Sequence, residues 1–137
     1  MILVKANADS EAGTLPSTEE LAEMGRYNEE LVKAGVMLAG EGLHPSSRGA
    51  RVKFSGSERT VVDGPFAETG ELLAGFWLIQ VKSREEAVEW VRRIPFREGE
   101  VEIRQVAEAA DFAPSDPTGE LMAAEERLRA QVAGRQA

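Results

Sequence analysis

The residue most capable of proton chemistry in this chain is its single histidine, His44. Imidazole is the side chain that ordinarily titrates near neutrality, so His44 is the natural general acid or base. It precedes Pro45 at the end of an apolar run. A carboxylate, Asp63, opens the turn Asp63-Gly64-Pro65-Phe66 further along. If the two run ends meet, His44 and Asp63 make an imidazole–carboxylate pair, with His44 as acid/base and Asp63 as its orienter. Glu41 and Glu68 are positioned to join them, Phe66 and Tyr27 to form apolar walls, and Arg26, Arg48 and Arg51 to supply positive charge for an anionic ligand. Each has a plainer alternative. His44 serves equally as a partly exposed loop residue, and Asp63 as an acceptor for amides of its own turn. Carboxylates with one His can hold a divalent cation, but no metal-motif spacing is present, and no metal is expected. There is no Cys, no Gly-rich phosphate loop, no Ser-His-Asp order and no dinucleotide fingerprint, so no cofactor is expected either.

The elements that must position these groups follow from periodicity. Residues 2–7 alternate as a first strand. Ala8 to Pro16 is small and polar. Ser17-Thr18-Glu19-Glu20 is a capping box opening an amphipathic helix with Leu21, Met24, Tyr27, Asn28, Leu31 and Val32 on one face and Gly35 as its C-terminal cap. Val36 to Gly40 is a second strand, halted by Pro45. Ser46 to Ala50 reads as a mobile loop. Arg51–Phe54 and Thr60–Val62 flank turn residues and predict a hairpin added to the main sheet. At the organising turn, Gly64 allows a backbone conformation closed to most residues and Pro65 fixes φ.

Leu72 to Val81 is the longest apolar stretch, a central strand apolar on both faces. Such a strand must be covered twice. Helices supply one cover; a second subunit or the chain's own tail supplies the other. Ser83-Arg84-Glu85-Glu86 predicts another capping box, with Ala87, Trp90, Val91 and Ile94 as the helix's apolar face. Glu100 to Val106 alternates as a half-exposed final strand near a sheet edge. The order is the β-α-β-β-α-β of a ferredoxin-like α+β fold with an inserted hairpin. Beyond Ala107, residues 111–117 form a linker and Glu120 to Val132 a helix expected to dock on its own or a partner subunit. The domain organisation is thus 1–107 followed by a helical tail, 108–137.

A length of 137 residues suits one core, and 42% hydrophobic with 29% charged residues is ordinary for a globular protein. The formal charge of −8 argues against a sequence-independent grip on nucleic acid, which needs clustered cations. No basic leader and no run of membrane-spanning length is read. A cytoplasmic protein without nucleic-acid or membrane partners is expected.

Ala39-Gly40-Glu41-Gly42-Leu43, Asp63-Gly64-Pro65-Phe66-Ala67-Glu68-Thr69 and Gly75-Phe76-Trp77-Leu78-Ile79 together resemble the DGPF family within the YCII-related proteins. The likeness runs from Met1 to Ala107, with Glu125–Ala130 similar to the ending of longer members. The resemblance implies a dimeric α/β-barrel, in which two ferredoxin-like sheets pack face to face, and a polar cleft in each subunit. Relatives carry a His–Asp pair suggested as catalytic. Here the first helix holds no His, His44 stands where an amide is commoner, and Gly70 stands where the family commonly has Lys.

Two functions follow. One is a homodimer that binds a small polar ligand in a cleft near the turn, with acid–base chemistry by His44 and Asp63. The other is a non-catalytic regulatory or interaction module acting through its dimer and tail.

Overall fold

The computed structural model describes residues 1–136. Strand β1 (Ile2–Lys5) leads into a short helix α1 (Ala8–Glu11), capped by Asn7, whose side chain accepts from the Ser10 amide. This helix lies in the stretch read as merely small and polar. Helix α2 (Thr18–Lys33) begins where the capping box predicts it: Ser17 accepts from the Glu20 amide and Glu20 accepts from the Ser17 amide. Gly35 follows it at φ +72°, a left-handed cap that glycine adopts without strain.

Strands β2 (Met37–Gly42), β3 (Ala50–Ser55), β4 (Glu58–Asp63) and β5 (Leu73–Ile79) come next, then helix α3 (Arg84–Arg92) and strand β6 (Val101–Ile103). Ser83 caps α3 by accepting from the Glu86 amide. The reciprocal bond is displaced by one residue, because the Glu86 carboxylate accepts from Lys82 instead. The main sheet is antiparallel in the order β2-β5-β1-β6, which places β5 in the interior and β6 at an edge. Strands β3 and β4 form a separate two-stranded sheet. This corrects the expectation that the hairpin extends the main sheet.

Register fixes which side chains share a face. Ile2 stands opposite Trp77 and Ile103, and Val4 opposite Val101. Ile2 and Trp77 form the core with Tyr27, Leu31, Val36, Trp90 and Ile94, and Val4 and Val101 pack against it, sealed by α2 and α3. The second face carries Leu3 opposite Phe76 and Glu102, Ala39 opposite Leu78, and Glu41 opposite Phe76. It is an apolar stripe with charged margins, one of them the Lys5–Glu102 ion pair at 3.6 Å. The doubly apolar character of the β5 stretch is therefore real, and the helices cover one side of it.

These elements, Met1–Arg104, form one compact unit, and the chain from Gln105 onward forms another. In the second unit, residues Ala109–Ser115 form a 3₁₀ helix where a linker was expected. Helix α4 (Glu120–Gln136) follows. Asp116 is the buried polar residue that starts it: one carboxylate oxygen accepts from the Leu121 amide at 3.2 Å, the other from Met122 at 2.9 Å. These bonds satisfy amides that the first turn leaves unpaired.

Candidate functional site

Strand β2 ends with the Leu43 amide donating to the Ala74 carbonyl at 2.8 Å, which delivers His44 at the end of the ladder. Pro45 cannot continue the pairing, and Ser46–Arg48 turns as one 3₁₀ turn, with Arg48 donating to Pro45 and Gly49 to Ser46. Two distant segments lock onto this turn. The Ser46 amide donates to one oxygen of Glu11 at 3.0 Å, and the Ser46 hydroxyl donates to the other. The same hydroxyl oxygen accepts the Phe66 amide at 3.0 Å. The Gly64 amide donates to Gly49 at 3.0 Å, closing the base of the β3–β4 hairpin.

Gly64 is required for a reason other than the one its sequence context suggested. It is not among the residues with positive φ. A Cβ on it would stand 1.8 Å from the Ser46 carbonyl oxygen, so the turn and the Ser46 loop approach as closely as bare backbone allows. The Gly64–Pro65 peptide is cis. The segment read as a mobile loop is thus a hydrogen-bonded partner of the Asp63-Gly64-Pro65-Phe66 turn. Hydrogen bonds from the Ser46 hydroxyl, and next from the Ser46 amide, hold the Glu11 carboxyl below the usual carboxylate range, against a partial dehydration that pushes it up.

Phe66, pinned through its amide, carries the Arg51 guanidinium 3.9 Å above its ring. Glu68 reaches the same guanidinium at 3.6 Å. Arg48 Nη1 lies 3.4 Å from His44 Nε2, a long contact in which Arg can only donate. Asp63 stands at the end of β4 opposite Ala50. Glu41 is exposed on the second sheet face.

The structure therefore brings Phe66 and Glu68 together through Arg51. Among the described residues no hydrogen bond joins His44 to Asp63; the polar neighbour of His44 is Arg48. Tyr27, expected as a wall beside the site, lies in the core instead. It is buried, donates to the Trp90 carbonyl at 2.7 Å, and meets Trp77 and Trp90 edge-on. Burial is the chief cause that raises its phenol to about 12; Arg93 opposes the shift and Glu30 adds to it. Arg26, the residue before it, is exposed on α2. Glu11 and Ser46 escaped sequence reading. They are 35 residues apart, and no local pattern marks a carboxylate and a hydroxyl that meet only on folding.

Among the described residues no group of three or more His, Cys, Asp or Glu is placed to hold a metal ion. No helix there is long and apolar enough to cross a membrane. Two cavities lie away from the turn. One, of about 260 Å³, lies between α3 and β6 against Ile94, Phe96 and Val101. The other, of about 200 Å³, lies within the second unit against Phe112, Met122 and Arg129.

Compared with known proteins, residues 1–110 match the model of the YCII-related domain. The chain belongs to the YCII-related family. A curated relative, an uncharacterised protein of Rhizobium meliloti (strain 1021), is 36% identical over 72 residues. That match covers 53% of this chain and 58% of the relative, so it spans little more than half of either. In this YCII-related chain the interlocked turn and its Arg51–Phe66 stack fall inside the matched region.

Proposed function

We propose that the protein is a homodimeric small-ligand protein of the DGPF type, binding a small polar ligand on the outer side of the Asp63–Phe66 turn. The observation that carries this reading is the Glu11–Ser46–Phe66 relay. It ties three separate segments into one platform that displays His44, Arg48, Arg51, Asp63 and Glu68, and a backbone already held needs less ordering when a ligand arrives. Glu41, on the strand leading into the platform, borders it. His44 is the group of this surface suited to proton transfer, and Asp63 the carboxylate at the same turn.

The strand order β2-β5-β1-β6 with helices α2 and α3 on one face supports a ferredoxin-like fold. Its second face, apolar at Leu3, Ala39, Phe76 and Leu78, supports pairing with the same face of a second copy, as in a dimeric α/β-barrel. A thermal-shift screen of small metabolites tests the site. Ligands that stabilise the native chain should lose that effect in His44→Ala and Asp63→Ala. If every ligand stabilises both variants as it does the native chain, the site is wrongly placed.

One observation favours the interaction-module reading. The β3–β4 hairpin leaves Val52, Phe54 and Val61 exposed, Phe54 at 72%, and such surface suits a protein partner. Deletion of residues 108–137 that abolishes partner capture while leaving ligand stabilisation intact favours that alternative.

A further inference from the structure

We infer that the ligand of this surface is an oxyanion, a carboxylate or a phosphate, and that Arg51 is the residue that grips it, with Glu68 holding its place when no ligand is bound. This rests on the ligand-site reading above and names the chemistry of that site. Three features of Arg51 point the same way.

Its guanidinium lies over the Phe66 ring at 3.9 Å, so its orientation is set by a flat surface rather than by solvent. The backbone that carries the ring is held in place, because the Phe66 amide is bonded by Ser46 and Ser46 by Glu11. A guanidinium has five N–H donors in a planar fork, and stacking on an aromatic face leaves that edge clear for a bidentate oxyanion.

The partner it has is weak. Glu68 approaches at 3.6 Å, beyond a good charge-assisted hydrogen bond, and both side chains are about half exposed, at 43% and 56%. Glu68 lies outside the hydrogen-bonded relay that fixes Phe66, so a ligand carboxylate or phosphate replaces it without disturbing the platform. Arg48, on the same Ser46–Arg48 turn, adds positive charge beside His44.

The test titrates sodium acetate and sodium phosphate into the full chain at constant ionic strength, following backbone amides by NMR. At least one anion should bind saturably and shift the amides around Arg51 and Phe66. Arg51→Gln should weaken that binding about tenfold, the worth of a charge-assisted contact. Arg51→Lys should fall between, keeping the charge but not the fork. Glu68→Gln should tighten binding by about two- to fivefold, the worth of an exposed ion pair; because it leaves Arg51 and the stack in place, it reads the competition even if an Arg51 variant folds poorly. The ratio of the two affinities distinguishes a carboxylate from a phosphate ligand. Unchanged binding in Arg51→Gln, or no saturable binding of either anion, overturns the assignment. If the ligands found by the thermal-shift screen depend on His44 and Asp63 but are neutral or cationic, the anion assignment falls while the site stands. If they depend on none of these residues, both fall.

Discussion

Ser46 and Phe66, twenty residues apart, are joined by one hydrogen bond of 3.0 Å from the Phe66 amide to the Ser46 hydroxyl oxygen. The same hydroxyl donates to Glu11. One small side chain thus ties the Asp63–Phe66 turn to the loop that approaches it at Gly64.

Ser46→Ala removes both bonds of the hydroxyl, leaving the partly buried Phe66 amide without its acceptor and Glu11 with the backbone amide of residue 46 as its remaining donor. The expected loss is about 1–3 kcal/mol of folding stability, measured by urea denaturation. A loss below about 0.3 kcal/mol, within the usual range of a surface change, means the relay is not what fixes the turn.

The relay also sets an acid limit. The Glu11 carboxyl is held below its ordinary value by its bonds to Ser46. A depressed carboxylate contributes stability that is fully present above its unfolded value, about 4.3, and that is lost as pH falls through the folded value. The native chain should therefore lose its advantage over Glu11→Gln as pH falls from about 5. If the difference between the two is independent of pH across that window, the Glu11 bonds carry no charge-dependent stability.

Gly64→Ala places a Cβ against the Ser46 carbonyl, and backbone cannot yield as a side chain tip does. The expected cost is about 3 kcal/mol, the upper end of overpacking. Gly25→Ala is the control: no atom lies within 4 Å of its Cβ, and it sits inside helix α2. There alanine should stabilise by about 0.5–1 kcal/mol. Equal effects at the two sites would contradict the close approach.

Much of the frame was legible because it depends on local pattern. The Ser17 and Ser83 caps, the left-handed Gly35 and the existence of helices α2 and α3 all follow from near neighbours. The two faces of Leu72–Val81 follow from alternation alone. The site was legible only in part. Phe66 and Glu68 were found through the turn that contains them. Tyr27 was misplaced because its phenol reads equally as a core residue with a buried partner or as a cleft wall, and helical spacing does not separate the two. Glu11 and Ser46 were missed because their roles depend on long-range closure. Gly64 was noticed, but its cause, a steric approach by Ser46, lies in another segment.

Tyr27 offers a direct optical check, since the chain has one tyrosine. Its phenol, raised to about 12 by burial, should show no tyrosinate absorbance until well above pH 10 in the folded protein. A raised value contributes stability that is fully present below the unfolded value of about 10 and lost as pH rises through about 12. Alkaline unfolding between those limits is expected. Tyrosinate appearing near pH 10 with the fold intact would place the phenol in water.

Assembly is tested on the second face of the sheet. Light scattering at micromolar concentration should give twice the 14.9 kDa chain mass. Phe76→Glu, which puts a charge beside Leu3 and Glu41, should give a folded monomer. A native chain that is already monomeric removes the dimer from the account.

A small polar ligand is expected to seat on the platform built by Glu11, Ser46 and Phe66. Proton–nitrogen correlation spectra of the full chain, titrated with the strongest stabilising ligand from the screen, test it most directly. Saturable shifts should concentrate at His44, Arg48, Arg51, Phe66 and Glu68, with little change at Phe96 or Phe112. Shifts confined to the cavity beside Ile94 and Phe96, or to the one beside Phe112 and Met122, with the turn unmoved, would contradict it.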